Sequence, residues 1–297
     1  MSDPREEFFE PVARARVTAR LLAEEPGILA GAHAVAASLG EIGMATVSQL
    51  TDGTPVKAGT VITEIAGTPK QIALAEERLV GLMAKPSGIA TATARFIARA
   101  AGRVRVVSGA WKKLPFSQKE MIRQAITVGG AMPRIAEWPF LYIDKNFVRM
   151  HGGLEATMAA ANRFAARTKI VQIRGEYGDI GEEAVRVAAA GANIIFVDSG
   201  RLDDARRAIV ALKQRALRDS VEVAFAGGVQ LGDVETLADI GVDVVDIGRA
   251  IVDAPLLDMR LDVVEVSAAR DSVNGQAPQS PMSAAPSGGH PAPGQRP

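Results

Sequence analysis

Between residues 103 and 266, short runs rich in β-branched residues alternate with stretches whose apolar residues recur at helical spacing. The apolar runs are Val104–Val107, Phe140–Ile143, Lys169–Ile173, Asn193–Val197, Val221–Phe225 and Val242–Ile247. The helical stretches are Gln118–Thr127, Leu154–Arg167, Gly181–Ala190, Asp203–Leu217 and Leu231–Ile240. This alternation predicts a parallel sheet. About six strands with tight connections favour an α/β barrel over an open sheet, and we place this barrel at residues 105–268.

Residues 1–104 have a mixed pattern. Apolar spacing predicts helices over Phe8–Glu24 and Lys70–Met83, and alternation predicts a strand over Thr60–Ile65. Pro86 is expected to lie just inside the start of a further helix that runs from Ser87 to Ala101, where its missing N–H costs little. The segment is therefore interpreted as a small N-terminal α/β domain.

The C-terminal segment has a different composition. Six Pro, four Gly, four Ser and four Ala lie between Asp271 and Pro297. Such a segment buries too little apolar surface to offset the entropy lost on ordering. The sequence predicts a disordered tail over residues 269–297.

Charge and residue usage exclude several functions. Lys+Arg and Asp+Glu both number 34, and a neutral chain is a poor general nucleic-acid binder. The chain has no Cys, so thiol catalysis and Cys-ligated metals are excluded. The three His residues are scattered, and His151 is the only one considered for acid–base work. Since no segment resembles a membrane span or an export signal, we expect a cytoplasmic protein without a membrane partner.

Charged residues follow the predicted strands, at the barrel rim where active sites form. The candidates for ligand binding at this rim are Trp111, Lys112, Lys113, Arg134, Lys145, Asn146, Arg174, Glu176 and Asp198. Asp198 is interpreted as a Mg²⁺ or ribose ligand or as a helix N-cap. Trp111 is either a stacking surface or a core aromatic. The lysines fit phosphate or a solvated turn, and Arg174 with Glu176 fits a site or a surface ion pair.

Glycines occur at the ends of the last two predicted strands. Gly227, Gly228, Gly248 and the adjacent Arg249 fit a phosphate site, because barrels often bind phosphate there through backbone N–H groups. The alternative is a pair of tight turns. The paired placement favours phosphate binding.

The segment from Glu77-Arg78 through Ser87-Gly-Ile-Ala-Thr91 resembles the quinolinate phosphoribosyltransferase family, and the likeness extends from about Phe8 to Val266. It implies an α/β sandwich packed on an open barrel, in a homodimer or higher homo-oligomer whose sites lie between subunits. It also implies transfer of phosphoribose from phosphoribosyl pyrophosphate to a ring nitrogen, with Mg²⁺. Arg78, Lys112 and Arg134 match substrate-binding or catalytic positions, Asp198 matches the ribose or metal contact, and the glycines match the phosphate site.

Departures from the family pattern lie at the expected site. An Arg becomes Trp111, a Glu-Val-Glu strand becomes Gln172-Ile-Arg174, and two His residues are lost. Quinolinate is a dianion that needs several cationic partners. We expect Trp111, Phe147 and Phe225 to make a flatter, more apolar pocket for a different heterocycle. The alternatives are a phosphate- or nucleotide-binding protein and a molybdenum-transport-associated homologue of the same fold.

Overall fold

The computed structural model describes residues 3–267, and the predicted tail, residues 269–297, lies outside this range. The strands are β1 (Arg16–Ala23), β2 (Gly27–Ile28), β3 (Thr46–Gln49), β4 (Pro55–Val56), β5 (Val61–Gly67), β6 (Arg105–Val107), β7 (Phe140–Ile143), β8 (Thr168–Ile173), β9 (Ile194–Val197), β10 (Glu222–Ala226), β11 (Val244–Asp246) and β12 (Met259–Ser267). The helices are α1 (Arg5–Phe8), α2 (Val35–Gly40), α3 (Pro69–Ala100), α4 (Lys119–Val128), α5 (Lys145–His151), α6 (Leu154–Ala161), α7 (Ile180–Ala189), α8 (Leu202–Gln214), α9 (Asp233–Ile240) and α10 (Arg249–Val252).

Strands β6 to β11 form the predicted open barrel. Their order is β6-β11-β10-β9-β8-β7, and the pairs within it are parallel. All four residues of β9 are buried, as expected for a strand covered on both faces. Ile170, Ile194 and Phe196 pack inside the curved sheet, while the helices cover its outer face. The six strands predicted from the sequence are confirmed.

An antiparallel sheet in the order β12-β1-β5-β3 forms the N-terminal domain. Its strand β1 occupies part of the segment for which a helix was predicted, so that prediction was wrong. The alternation of Arg16 and Arg20 with the buried Val17, Ala19 and Leu21 has the two-residue period of a strand. Apolar residues three and four apart within the longer window imitated a helix.

Strand β12 belongs to the N-terminal sheet. It pairs antiparallel with β1, from Arg16 opposite Ser267 to Ala23 opposite Met259. Residues up to 268 were predicted to belong to the barrel, but β12 lies in the sheet of the N-terminal domain. A local pattern specifies a strand, but it does not specify which sheet the strand joins.

Helix α3 runs without interruption from Pro69 to Ala100, although a separate helix was expected to start near Pro86. Thr68 and Gln71 form a capping box at its start. Pro86 leaves the carbonyl of Leu82 without its usual donor. That oxygen lies against Gly31, where a β-carbon would overlap with it. Packing against a glycine therefore accommodates the proline within the helix.

None of the helices within residues 3–267 combines the length and the apolar character needed to cross a membrane.

The contact between α3 and the segment after α10 can be tested at Gly88. A β-carbon there would overlap with the carbonyl oxygen of Pro255. We expect Gly88→Ala to lower the free energy of unfolding by about 2–3 kcal/mol, measured by urea denaturation. Gly81→Ala is the matched control, because Gly81 is exposed on the same helix and a β-carbon there meets nothing within 4 Å. The control should gain up to about 1 kcal/mol; equal stability of the two variants would contradict the close contact.

Candidate active site

A cavity of about 890 Å³ opens at the carboxyl ends of the barrel strands. Side chains that follow or end each of the six strands reach it, which is the arrangement expected of barrel active sites. The cavity contains ten of the residues predicted from the sequence: Lys112, Lys113, Arg134, Lys145, Arg174, Asp198, Gly227, Gly228, Gly248 and Arg249. The barrel topology therefore brings together residues that lie up to 137 positions apart in the chain, as the hydrogen bond between Gly109 and Asp246 illustrates.

Trp111 does not line this cavity. It is 6% exposed, its indole N–H donates to the carbonyl of Pro133 at 2.6 Å, and its ring packs in the barrel core. The guanidinium groups of Arg123 and Arg134 lie 4.8 and 5.4 Å from its ring centroid. Trp111 is therefore a core aromatic, as the second interpretation proposed. Its ring packs against the guanidinium of Arg134 and does not line the cavity.

Three other predicted residues also lie off the cavity wall. Arg78 donates to Glu41 at 2.5 Å within the N-terminal domain. The backbone N–H of Asn146 donates to Asp144, which caps α5. Glu176 accepts both bonds of a bidentate pair from Arg149, at 2.8 and 3.0 Å. Glu176 thus fits the surface ion-pair interpretation.

The expected aromatic wall is present but is built from different residues. Phe225 is 1% exposed in the core and Phe147 lies outside the cavity lining, so neither contributes. Phe140, Tyr142 and Phe196 line the cavity instead. Each of them lies on an inner strand position that the sequence showed only as part of an apolar run. Alternation along β7 and β9 could have identified them, once the buried face was known.

Lys112 lies over Tyr142, with its Nζ 4.6 Å from the ring centroid. Burial lowers the pKa of the Lys112 amine, and Asp246 acts in the opposite direction. Burial also raises the pKa of the Tyr142 hydroxyl, so that side chain stays neutral at physiological pH. The wall is therefore an aromatic surface with one cation held against it.

Asp246 is a site residue that the sequence analysis missed. It ends β11, and its Oδ1 accepts from the backbone N–H of Gly109 at 2.9 Å. Burial is the main cause that raises the pKa of this carboxyl, while the Gly109 hydrogen bond and Lys112 oppose the shift. An acidic residue within an apolar strand is the signal that could have identified it, because such a side chain needs a special environment.

Asp198 follows β9 and accepts hydrogen bonds from two side chains, Gln172 on β8 and Arg174 directly after β8. Gln172 Nε2 donates to its Oδ2 at 2.5 Å, and Arg174 Nη1 donates to the same oxygen at 3.3 Å. Gln172 is 7% exposed, and its Oε1 accepts from the backbone N–H of Lys145 at 2.7 Å. The amide is thereby fixed in one orientation, and it holds Asp198 in place.

The glycines at the rim have separate roles. Gly227 has a φ of +111°, and a β-carbon there would lie 2.5 Å from the backbone of Gly200, so its loop packs tightly. Gly228 has a φ of +76° and faces open space within the cavity. Gly248 also faces open space, at the start of α10. Gly227 thus satisfies the tight-turn alternative, whereas Gly228 and Gly248 leave backbone accessible to a ligand.

The residues do not form a protein site for Mg²⁺. Residues 3–267 contain no group of three or more His, Cys, Asp or Glu side chains placed to hold a metal. The nearest candidate, Asp198, already accepts from an amide and a guanidinium. Mg²⁺ often takes only one or two carboxylates from a protein and its other oxygen ligands from substrate phosphates and water, so the metal-ligand role of Asp198 stays a prediction.

The fold and cavity define a two-domain class of protein, in which an open α/β barrel with a cationic, glycine-edged cavity is joined to a domain that receives the last strand. Two family models match the chain: "Quinolinate phosphoribosyl transferase, N-terminal domain" over residues 9–87 and "Quinolinate phosphoribosyl transferase, C-terminal domain" over residues 89–262. The chain belongs to the quinolinate phosphoribosyl transferase family. The family resemblance inferred from the sequence is confirmed.

Named relatives agree with this assignment. The chain is 28% identical over 250 residues to a Methanothermobacter thermautotrophicus protein named "probable nicotinate-nucleotide pyrophosphorylase (carboxylating)", covering 84% of this chain and 88% of that one. It is 29% identical over 246 residues to the human nicotinate-nucleotide pyrophosphorylase (carboxylating), covering 82% and 81%. The crystal structure of nicotinate-nucleotide pyrophosphorylase from Pyrococcus furiosus has the same fold, with a TM-score of 0.79 at 23% identity, over 89% of this chain and 73% of that one.

The environment of Asp246 makes a pH-dependent prediction. Because burial raises the pKa of this carboxyl, ionising it costs the folded state stability as the pH rises through that pKa. Asp246→Asn should therefore melt at a higher temperature than the wild type at pH 7, and the gain should vanish at pH values below the usual Asp range. Asp219→Asn, at an exposed site, is the control and should melt at the same temperature as the wild type at pH 7. A variant less stable than the wild type at pH 7 would contradict the assigned environment.

Proposed function

We propose that this chain transfers phosphoribose from phosphoribosyl pyrophosphate to a ring nitrogen of a heterocycle that carries at most one carboxylate, and that quinolinate is not its substrate. The observation that carries the proposal is the cavity's small number of cations without carboxylate partners, beside an aromatic wall. Phosphoribosyl pyrophosphate and a flat ring are the two ligands that these surfaces fit.

The charges of the cavity limit the acceptor. Its lining includes six cationic side chains, but Arg174 pairs with Asp198 and Arg249 pairs with Asp253 at 2.9 Å. Among the described residues, the four others have no carboxylate within 4.0 Å: Lys112, Lys113, Arg134 and Lys145. Three phosphates of phosphoribosyl pyrophosphate would occupy most of these cations. One further cation, the Arg78 that a second copy would supply, would pair with one ring carboxylate, and a second ring carboxylate would be left without a partner, at a cost of several kcal/mol.

The transfer needs little from the protein beyond charge and orientation. The bond from the ribose C1 to the acceptor nitrogen forms as the bond from C1 to the pyrophosphate oxygen breaks, and pyrophosphate leaves with the electron pair. Lys112 and Arg134 face the cavity and would stabilise the charge that develops on pyrophosphate. Tyr142 and Phe196, whose centroids lie 6.0 Å apart, would hold the flat acceptor ring.

We propose that the 5′-phosphate binds at the glycine edge, the part of the rim formed by Gly228 and Gly248. Gly228 and Gly248 leave backbone accessible there, and backbone N–H groups at such a rim are suited to phosphate. Placing the phosphate there orients the ribose across the cavity, toward Lys112 and the aromatic wall. This arrangement separates the phosphate, the reacting carbon and the acceptor ring along the cavity.

Ligand specificity can be measured as thermal stabilisation. Phosphoribosyl pyrophosphate at 100 times its dissociation constant should add roughly 2.7 kcal/mol. We expect that stabilisation in the wild type and its loss in Lys112→Ala. Lys119→Ala, on the first turn of α4 outside the cavity, is the control. Quinolinate should give no shift, whereas at least one ring from a panel of nicotinate and uncharged heterocycles should; a quinolinate shift as large as that of the best panel member would contradict the proposal.

The family relationship also supports a dimer whose second copy supplies Arg78. In a single chain Arg78 lies on the N-terminal domain, away from the cavity of its own barrel. Arg78→Ala and Lys112→Ala should each be inactive alone. Hybrid dimers made by co-expressing the two should recover about a quarter of the activity, because half the dimers then carry one intact site. An inactive mixture of stable dimers, or a fully active Arg78→Ala, would contradict the shared site.

A further inference from the structure

Arg174 lines the cavity beside the carboxylate of Asp198. Its Nη1 donates to Asp198 at 3.3 Å, and its nearest approach to Glu176 is 3.9 Å. Within residues 3–267, Asp198 is the one acceptor of a side-chain hydrogen bond from Arg174. The group is 37% exposed and lines the cavity, so N–H donors that Asp198 does not use are available to a ligand.

Asp198 holds this guanidinium in a defined place. The buried Gln172 donates to the same carboxylate oxygen and is itself fixed by the backbone N–H of Lys145. Gln172, Asp198 and Arg174 are thus linked in series, and the series ends in the planar, permanently charged guanidinium of Arg174. Such a fork binds phosphate oxygens in a bidentate manner.

The other carboxylates of this end of the cavity are also engaged. Asp144 accepts from the N–H groups of Asn146 and Phe147, and Asp246 accepts from that of Gly109. These bonds use one oxygen of each carboxylate, but the Arg174 guanidinium lies 3.3 Å from Asp198 and already neutralises its charge, so a divalent cation there would be repelled by the guanidinium. This ion pair therefore disagrees with the Mg²⁺ that the family resemblance implies.

We propose that the Arg174 guanidinium, positioned by Asp198 and Gln172, donates its remaining N–H groups to a phosphate at this end of the cavity and binds phosphoribosyl pyrophosphate without a protein-bound divalent cation. The inference rests on the proposed function for the identity of the ligand. It assigns Arg174 as a binding residue, and Gln172 and Asp198 as positioning residues.

The first experiment uses the metal alone and is independent of the ligand. Calorimetric titration of Mn²⁺, as a stand-in for Mg²⁺, should give no saturable binding to the wild type at millimolar concentrations. The double variant Gln172→Glu/Arg174→Glu places three carboxylates together and should bind Mn²⁺ at least about tenfold more tightly. Saturable micromolar binding to the wild type would overturn the inference.

The second experiment measures the dissociation constant of phosphoribosyl pyrophosphate in EDTA and in excess Mg²⁺. The wild-type values should agree within about twofold, and Arg174→Gln should weaken binding in EDTA by about tenfold or more, as expected for a lost charged hydrogen bond. Arg174→Lys should fall between them, because it keeps the charge and loses the fork. Arg99→Gln removes a similarly exposed arginine that pairs with Glu235 outside the cavity, and it should bind like the wild type.

The outcomes separate the two proposals. Binding that tightens tenfold or more with Mg²⁺, or an Arg174→Gln variant that melts and binds like the wild type, would overturn the role of Arg174 and leave the proposed function standing. Failure of the ligand to bind in both buffers would overturn the proposed function together with the ligand assigned to Arg174.

Discussion

The close approach of both domains to helix α3 is the constraint on which the rest of the structure depends. On the N-terminal side, the buried Ser87 hydroxyl accepts from the N–H of Ala30 at 2.9 Å and donates to its carbonyl at 3.1 Å. On the barrel side, Gly88 lies directly against the carbonyl of Pro255, and a β-carbon on Gly129 would lie 2.6 Å from the carbonyl of Ala90. Small residues let backbone meet backbone there, and the barrel is fixed relative to the sheet.

That constraint gives a physical reason for the segment that carries the family resemblance. The stretch from Ser87 to Thr91 contains no residue of the cavity wall. Its hydroxyls instead satisfy backbone groups across the domain contact, since Thr91 accepts from the N–H of Ile28 at 2.8 Å. The Ser87–Thr91 part of the motif is thus a packing motif. Two of the residues that distinguish this chain from the family pattern, Gln172 and Arg174, lie at the cavity and hold Asp198.

How much could be predicted from the sequence depended on the range of the interaction. The barrel strands and ten cavity residues followed from local alternation and the rule that parallel strands place their carboxyl ends on one rim. The pairing of β12 with β1 did not, because it joins residues about 250 positions apart that no local pattern connects. The same limit explains why the burial of Trp111 was not predicted, because its hydrogen-bond partner Pro133 belongs to a later segment of the chain. Asp246 was missed because its apolar neighbours defined the strand and concealed its role.

The proposed site combines an aromatic wall, a few cations without carboxylate partners and an arginine that we infer takes the place of a metal. Phosphorus NMR of reactions containing phosphoribosyl pyrophosphate and one heterocycle at a time tests it most directly, because the product nucleotide and pyrophosphate both give resolved signals. We predict that a nucleotide forms with a ring that carries no carboxylate or one. With quinolinate, phosphoribosyl pyrophosphate should not be consumed. Conversion of quinolinate to its decarboxylated nucleotide, with no turnover of the other rings, would contradict it.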